Sequence, residues 1–168
     1  RLLDFKKEKK VNFITGRGWD QNDWEVKQFP TKEKLDELFP KTPVAITRID
    51  GHAMLINQAA INLTNINATS KVNGGEFIKE NGKLTGVLID NAMRYVKIPE
   101  PTRKEQIQAL KDAEKICFDL GLTTVDDAGL DKNVIELIDS LQKTGELKMR
   151  MYAMISNNPE NLDYYLNK

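Results

Sequence analysis

Four short phrases, of three kinds, carry the side chains of this sequence best suited to chemistry. Asp50-Gly51-His52 contains the sole histidine of the 168 residues. It follows the apolar alternation VAITRI, and the C-terminal ends of strands are where α/β folds gather their ligand loops. An imidazole in that place can donate a proton, hydrogen-bond a substrate or ligate a metal. The competing reading is structural, with Asp50 capping a helix start and His52 an ordinary, partly buried side chain. The second phrase, GRGWDQNDW over residues 16–24, places both tryptophans of the chain, Trp19 and Trp24, beside Asp20 and Asp23. Such a cluster is costly in water and awkward to bury whole, which suits the wall of a site. The third kind of phrase pairs acids with strand ends, at Asp126-Asp127 and at Asp90-Asn91. Neighbouring strand residues point to opposite faces, so at most one of Asp126 and Asp127 would face a common site; Asp127 capping a turn is the structural alternative.

Other chemistries lack their residues. One histidine and one cysteine, far apart, supply no HxH, HExxH or CxxC, so no complete zinc site is present. No G-x-S-x-G marks a serine nucleophile. Gly16-Arg17-Gly18 lacks the third glycine and the lysine of phosphate loops. Cys117 falls on the apolar stripe of an expected helix and reads as core.

The elements that must position these groups follow from periodicity and caps. Residues 1–10 read as the tail of a helix and VNFIT (11–15) as a strand broken by Gly16 and Gly18. A short helix capped by Thr31 has Leu35, Leu38 and Phe39 as its apolar face and stops at Pro40. VAITRI (44–49) is a strand, and a helix is expected over about 53–62. Residues 64–75 are a polar loop; residues 76–89 read as a hairpin around Asn81-Gly82, the pair preferred where both central turn residues need positive φ. KIPEP (97–101) is a stiff linker.

Beyond it the pattern changes. Thr102 and Glu105 form a capping box, opening a helix whose face is Ile107, Leu110, Ala113, Cys117 and Leu120 and which closes at Gly121. LTTV (122–125) is a buried-type strand, residues 132–144 a second helix, LKMRMYAMI (147–155) another strand, and Asn158-Pro159 the start of a third helix. Helix alternating with strand is the pattern of a parallel α/β layer or barrel. The predicted class is therefore α/β, with an α+β region over 1–100 and βα units over 101–168.

Composition narrows the function classes. Hydrophobic residues make up 40% and charged residues 30%, and 25 Lys plus Arg balance 25 Asp plus Glu. No net field favours nucleic acid or an anionic membrane. No apolar run nears the ~20 residues of a membrane helix. A single cysteine rules out an internal disulfide and fixes no compartment.

Read in order, GRGWDQNDW, FPTKEKLDELFPKTPVAITRIDGHAMLINQAAI, GGEFIKENGKLTGVLIDNA and LGLTTVDDAGL closely resemble one branch of the amidohydrolase superfamily. This is the YtcJ-like, or amidohydrolase family 3, branch, which includes N-substituted formamide deformylases. The likeness runs from about Phe13 to Met154. It implies a metal-dependent hydrolase built on a (β/α)8 TIM-type barrel, with a large insertion after the first barrel strand. On that mapping residues 1–100 are mostly insertion, LTTVDDAG is the second barrel strand and LKMRMYAMI the third, so the barrel is incomplete here. The family's metal ligands (an HxH, a mid-barrel lysine or similar bridging residue, two later histidines and an aspartate) have no matching position in this chain. They would precede Arg1 or follow Lys168, which makes the chain an internal fragment. A divalent metal, zinc first, is expected in the full-length protein and none in this piece.

What the resemblance carries onto this chain is a substrate-side set: Trp19, Asp20, Trp24, Asp50, His52, Asn57 and Asp90. Trp19 and Trp24 would form an apolar wall, and His52 a donor on the oxyanion side or behind the first layer of contacts. The implied reaction is attack of a metal-bound hydroxide on an amide or related C–N carbonyl of a small molecule. Two other readings stand beside it: a non-catalytic binding or regulatory module on the same fold, and a barrel hydrolase acting on a different bond. The isolated piece is expected to be inactive, since a closed barrel takes roughly 250 residues. It is also expected to pair through exposed strand edges, as a homodimer for example.

Overall fold

The structure, a computed structural model, describes residues 1–8 and 11–167. It divides into two compact units, Arg1–Pro99 and Glu100–Lys168.

The first unit is built on a five-stranded sheet in the order β1-β2-β3-β5-β4. Helix α1 (Leu2–Glu8) precedes β1 (Ile14–Trp19); positions 9 and 10, also expected to be helical, lie outside the described residues. Helix α2 (Glu33–Leu38) leads to β2 (Val44–Arg48), then β3 (Ala53–Ile56), α3 (Gln58–Ile61), β4 (Gly75–Glu80) and β5 (Lys83–Asp90). β1 pairs parallel with β2, and the β2–β3, β3–β5 and β4–β5 pairs are antiparallel. Both faces are covered. Ala45, Met54, Ile56, Phe77 and Leu88 pack on one side; Val44, Leu55 and Val87 pack on the other with Ile14, Leu35 and Phe39. Burial on both faces explains why AMLI in β3 is apolar at every position rather than alternating.

Three expectations are corrected here. Residues 53–56 are strand, and only Gln58–Ile61 is helical. A four-residue apolar run does not distinguish strand from helix by period; the Asp50-Gly51 turn, with Gly51 at φ 81, folds the run back onto β2. Strand β1 starts at Ile14 and passes through Gly16 and Gly18 instead of breaking there, with a register irregularity between Arg17 and Trp19. Helix α2 begins one residue late, with Lys32 at the N-cap position and no side-chain cap, and the Lys32 N–H donates to the Thr85 carbonyl of β5 at 2.7 Å. The hairpin forms as expected, with Asn81 at φ 50 and Gly82 at φ 74.

The second unit runs α4 (Arg103–Asp119), β6 (Thr124–Leu130), α5 (Lys132–Lys143), β7 (Arg150–Ile155), α6 (Pro159–Leu166). β6 and β7 are parallel, the βαβ arrangement expected. The Thr102–Glu105 capping box and the Asn158 cap with Pro159 are both present. The core is Leu137, Ile138 and Leu141 of α5 with Leu147. β6 extends to Leu130, so Asp126-Asp127 lies inside the strand, and none of its residues is buried. The α4 stripe is likewise open: no α4 residue is buried, and Leu120 is 73% exposed. Two strands are too few to cover that helix face.

Candidate functional site

The sheet topology of the first unit decides which residues meet. β1, β2 and β5 end, and β3 begins, at the same rim, because β1 and β2 are parallel and β3 is antiparallel to both β2 and β5. That rim holds Trp19 at the end of β1 with Asp20 just after it, Asp50 and His52 in the β2–β3 turn, and Asp90 at the end of β5. Asn57 follows the other end of β3 and lies at the opposite rim.

The rim is tied together by its own polar groups. Arg48 at the end of β2 donates from Nε to Asp50 Oδ1 at 2.9 Å and from Nη2 to Asp50 Oδ2, a bidentate pair. Asp50 Oδ1 also accepts from the His52 backbone N–H at 3.0 Å, closing the turn around Gly51. These bonds, the one from Arg48 first, hold the Asp50 carboxyl well below the usual carboxylate range. The reciprocal bond to Asp50 raises the Arg48 guanidinium above its already high value. Arg17 joins the turn to β1 by donating to the Ile49 carbonyl at 3.0 Å.

His52 and Asp90 form the second link. His52 Nδ1 lies 2.7 Å from Asp90 Oδ1, and the Asp90 backbone N–H donates to the His52 carbonyl at 3.1 Å. The imidazole is 71% exposed. Asp20 is spent locally, its carboxylate accepting from Asn22 N at 2.9 Å to cap the turn Gln21–Asp23.

The tryptophans form the apolar part. Trp19 donates from Nε1 to the Ile46 carbonyl at 2.8 Å, which fixes its ring on the sheet end. Trp24 stacks on it at 6.1 Å between centroids, and Phe29 meets it edge-on at 6.4 Å. The Arg48 guanidinium sits 5.7 Å from the Phe29 ring. Trp24 is 40% exposed, so the cluster shows an aromatic face to solvent. The rim thus combines an aromatic surface, an ion-paired turn and an exposed imidazole.

Six of the seven expected residues meet in this way, and Asn57 does not. Its side chain is fully buried: Oδ1 accepts from Val44 N and Ala60 N, and Nδ2 donates to the Phe39 and Thr42 carbonyls. Sequence reasoning passed over Arg48, Arg17 and Phe29. The Arg-x-Asp spacing before Gly51 was the available signal for Arg48, a cation and an acid two residues apart at the entry to a glycine turn.

In the second unit Asp126 and Asp127 do diverge, Asp126 exposed and Asp127 half-buried with Oδ1 accepting from Gly129 N at 3.0 Å. Cys117 is half-buried beside an apolar groove of about 180 Å³ lined by Leu110, Val125, Met149 and Met151. Among the described residues no group of three or more His, Cys, Asp and Glu side chains could hold a metal. The rim supplies too few ligands for one: its single imidazole has no second histidine or cysteine beside it, and the Asp50 carboxylate is engaged by Arg48. Among the described residues no helix is long and apolar enough to cross a membrane.

A sequence profile described as "Amidohydrolase family" matches residues 3–164. The chain belongs to the amidohydrolase family. Over 118 residues it is 36% identical to YtcJ of Bacillus subtilis (strain 168), a protein named as an amidohydrolase, covering 68% of this chain and 22% of that protein. Over 125 residues it is 35% identical to LONG AFTER FAR-RED 3 of Arabidopsis thaliana, covering 72% of this chain and 21% of that protein. The amidohydrolase chain therefore spans about a fifth of the length of these relatives. Its fold matches an uncharacterized metal-dependent hydrolase of Pyrococcus horikoshii OT3 with a TM-score of 0.65 at 24% identity, over 99% of this chain and 32% of that one. A counterpart from Pyrococcus furiosus gives a TM-score of 0.62 at 25% identity, over 99% and 33%. The mixed α/β class and its likeness to metal-dependent hydrolase structures are as the sequence predicts, and the parallel β6–α5–β7 unit is consistent with part of a barrel.

Proposed function

We propose that the full-length protein is a hydrolase that cuts an amide or related non-peptide C–N bond of a small molecule. Its attacking water is activated by a divalent metal, zinc in the first instance, whose ligands lie outside this chain. In this reading residues 1–100 form the insertion and 101–168 contribute the second and third barrel strands. The rim carrying Trp19, Asp20, Trp24, Asp50, His52 and Asp90 faces the substrate.

The observation that supports it most is convergence. Residues spread from position 19 to position 90 come to one sheet rim that carries an aromatic face and an exposed imidazole. Family membership and the names of the matched proteins support the reaction class. The residues divide the work by their bonds. Trp24, resting on Trp19, offers apolar contact to an acyl or amine group; His52 offers its free ring nitrogen; Asp20, Asp50 and Arg48 hold the loops that carry them.

The test is a substrate panel on the zinc-loaded full-length protein, comparing N-substituted formamides and other amides with matched esters and phosphoesters. Amine release that stops with chelator and returns with zinc is expected. Turnover confined to esters or phosphoesters, or indifferent to chelator, would overturn the reading. Within the panel, His52→Ala is expected to lower kcat/KM by about tenfold or more, the loss of one substrate-side hydrogen bond.

A further inference from the structure

The backbone at Asp90 is unlike the rest of the chain. Among the described residues two non-glycines have positive φ, Asn81 at 50 and Asp90 at 47. Asn81 sits in a two-residue hairpin turn that requires it. Asp90 combines φ 47 with ψ −118, outside the ordinary left-handed helical well, in a region suited to glycine. The chain kinks there from β5 into the turn Asn91–Tyr95, so closely over Gly75 that a Cβ on Gly75 would lie 2.5 Å from the Ile89 carbonyl oxygen. Glycine would make this kink without steric cost. What aspartate adds is its carboxylate, which bonds His52 Nδ1 at 2.7 Å while the Asp90 N–H holds the His52 carbonyl at 3.1 Å.

That double grip settles the imidazole. An ionised carboxylate only accepts hydrogen bonds, so Nδ1 carries the proton. In the neutral ring Nε2 is then left with its lone pair, on a side chain 71% exposed. We propose that Asp90 is a positioning residue that holds His52 in the Nδ1–H tautomer and so makes Nε2 the imidazole atom presented to the substrate. The substrate group that complements neutral Nε2 is a hydrogen-bond donor, such as the N–H of an amide or its departing amine, in place of the oxyanion-side donation that the family resemblance implies for His52. This rests on the reading of the rim as substrate-facing.

With one histidine in the sequence, one set of imidazole resonances reports the tautomer without assignment ambiguity. Long-range ¹H–¹⁵N NMR of the chain, at an alkaline pH where the imidazole is neutral, is expected to show the Nδ1–H form in the majority. Asp90→Asn and Asp90→Gly are expected to return the ring to the Nε2–H majority of free imidazoles. The glycine variant suits the positive φ and keeps the fold. An unchanged tautomer in Asp90→Gly overturns the positioning. In the full-length protein Asp90→Asn should lower kcat/KM on an amide by roughly ten- to a hundredfold, with no further loss when combined with His52→Ala. Additive losses would mean that Asp90 acts apart from His52 and would also overturn it. Should the protein release no amine from any amide, the rim's role and the kinetic arm fall together, while the tautomer arm still decides what Asp90 does to His52.

Discussion

Replacing Asn57 by alanine should destabilise the first unit severely while leaving the rim untouched. The side chain is fully buried and makes four bonds to backbone: two accepted, from Val44 N at 2.9 Å and Ala60 N at 3.0 Å, and two donated, to the Phe39 and Thr42 carbonyls at 2.9 Å each. Truncation orphans two N–H and two C=O groups, at about 1–3 kcal/mol for each left dry. The bond to Ala60 N is also the N-cap of α3, alone worth about 1 kcal/mol. Allowing water to reach some of the four, the loss should be on the order of 4 kcal/mol, comparable to the whole stability of a marginal domain. With a urea m-value of about 1.5 kcal/mol/M, the midpoint should fall by roughly 2–3 M. Both tryptophans lie in this unit, so their fluorescence during urea titration reads it selectively. A fall of less than about 1 kcal/mol, or an equal fall in His52→Ala, would refute the assignment of Asn57 as the clasp between β2, α2 and α3. An Asn57 that served substrate would show the reverse, lost turnover at intact stability.

Two further predictions follow from the same unit. Gly86→Ala puts a Cβ 2.3 Å from the Ile56 carbonyl oxygen at φ 93, and a backbone oxygen inside the sheet cannot retreat. A loss of about 3 kcal/mol or more is expected by chemical denaturation, against about 1 kcal/mol for Gly82→Ala, where the added methyl meets open space; equal losses would sink the clash argument. Asp50 should stay ionised as acid is added: with a lowered folded-state pKa its contribution is complete above the unfolded value of about 3.9 and is lost only as pH falls through the folded value. Carboxyl ¹³C shifts followed from pH 6 to 2 check this. Arg48→Gln should return the Asp50 titration toward the ordinary range, and titration near 4 in the unmodified chain would contradict the bidentate pair.

Local signals were legible where short-range chemistry decides. The Asn81-Gly82 turn, the Thr102–Glu105 box and the Asn158-Pro159 start each depend on residues within four positions of one another, and each forms as read. AMLI was illegible for the opposite reason. Its four apolar residues satisfy strand and helix alike, and the choice lay with β2 and β5 on either side of it. Asn57 shows the same limit at the level of the site. Its type suits substrate contact and N-capping equally, and only the arrival of Phe39, Thr42 and Val44 around it commits all its bonds inward. Arg48 had a local signal in its pair with Asp50 two residues on, but its approach to Gln21 and to the Phe29 ring depends on where β1 and β2 end.

By itself, the sequence determined the α/β class, the family and the candidate polar and aromatic residues, because composition, caps and ordered phrases are properties of neighbours along the chain. Only the tertiary structure decided that β1, β2 and β5 finish at one rim, bringing Trp19, Asp50, His52 and Asp90 together and sending Asn57 to the other side. Strand order and direction are settled by which faces bury against each other across the sheet, and no local stretch of residues encodes that.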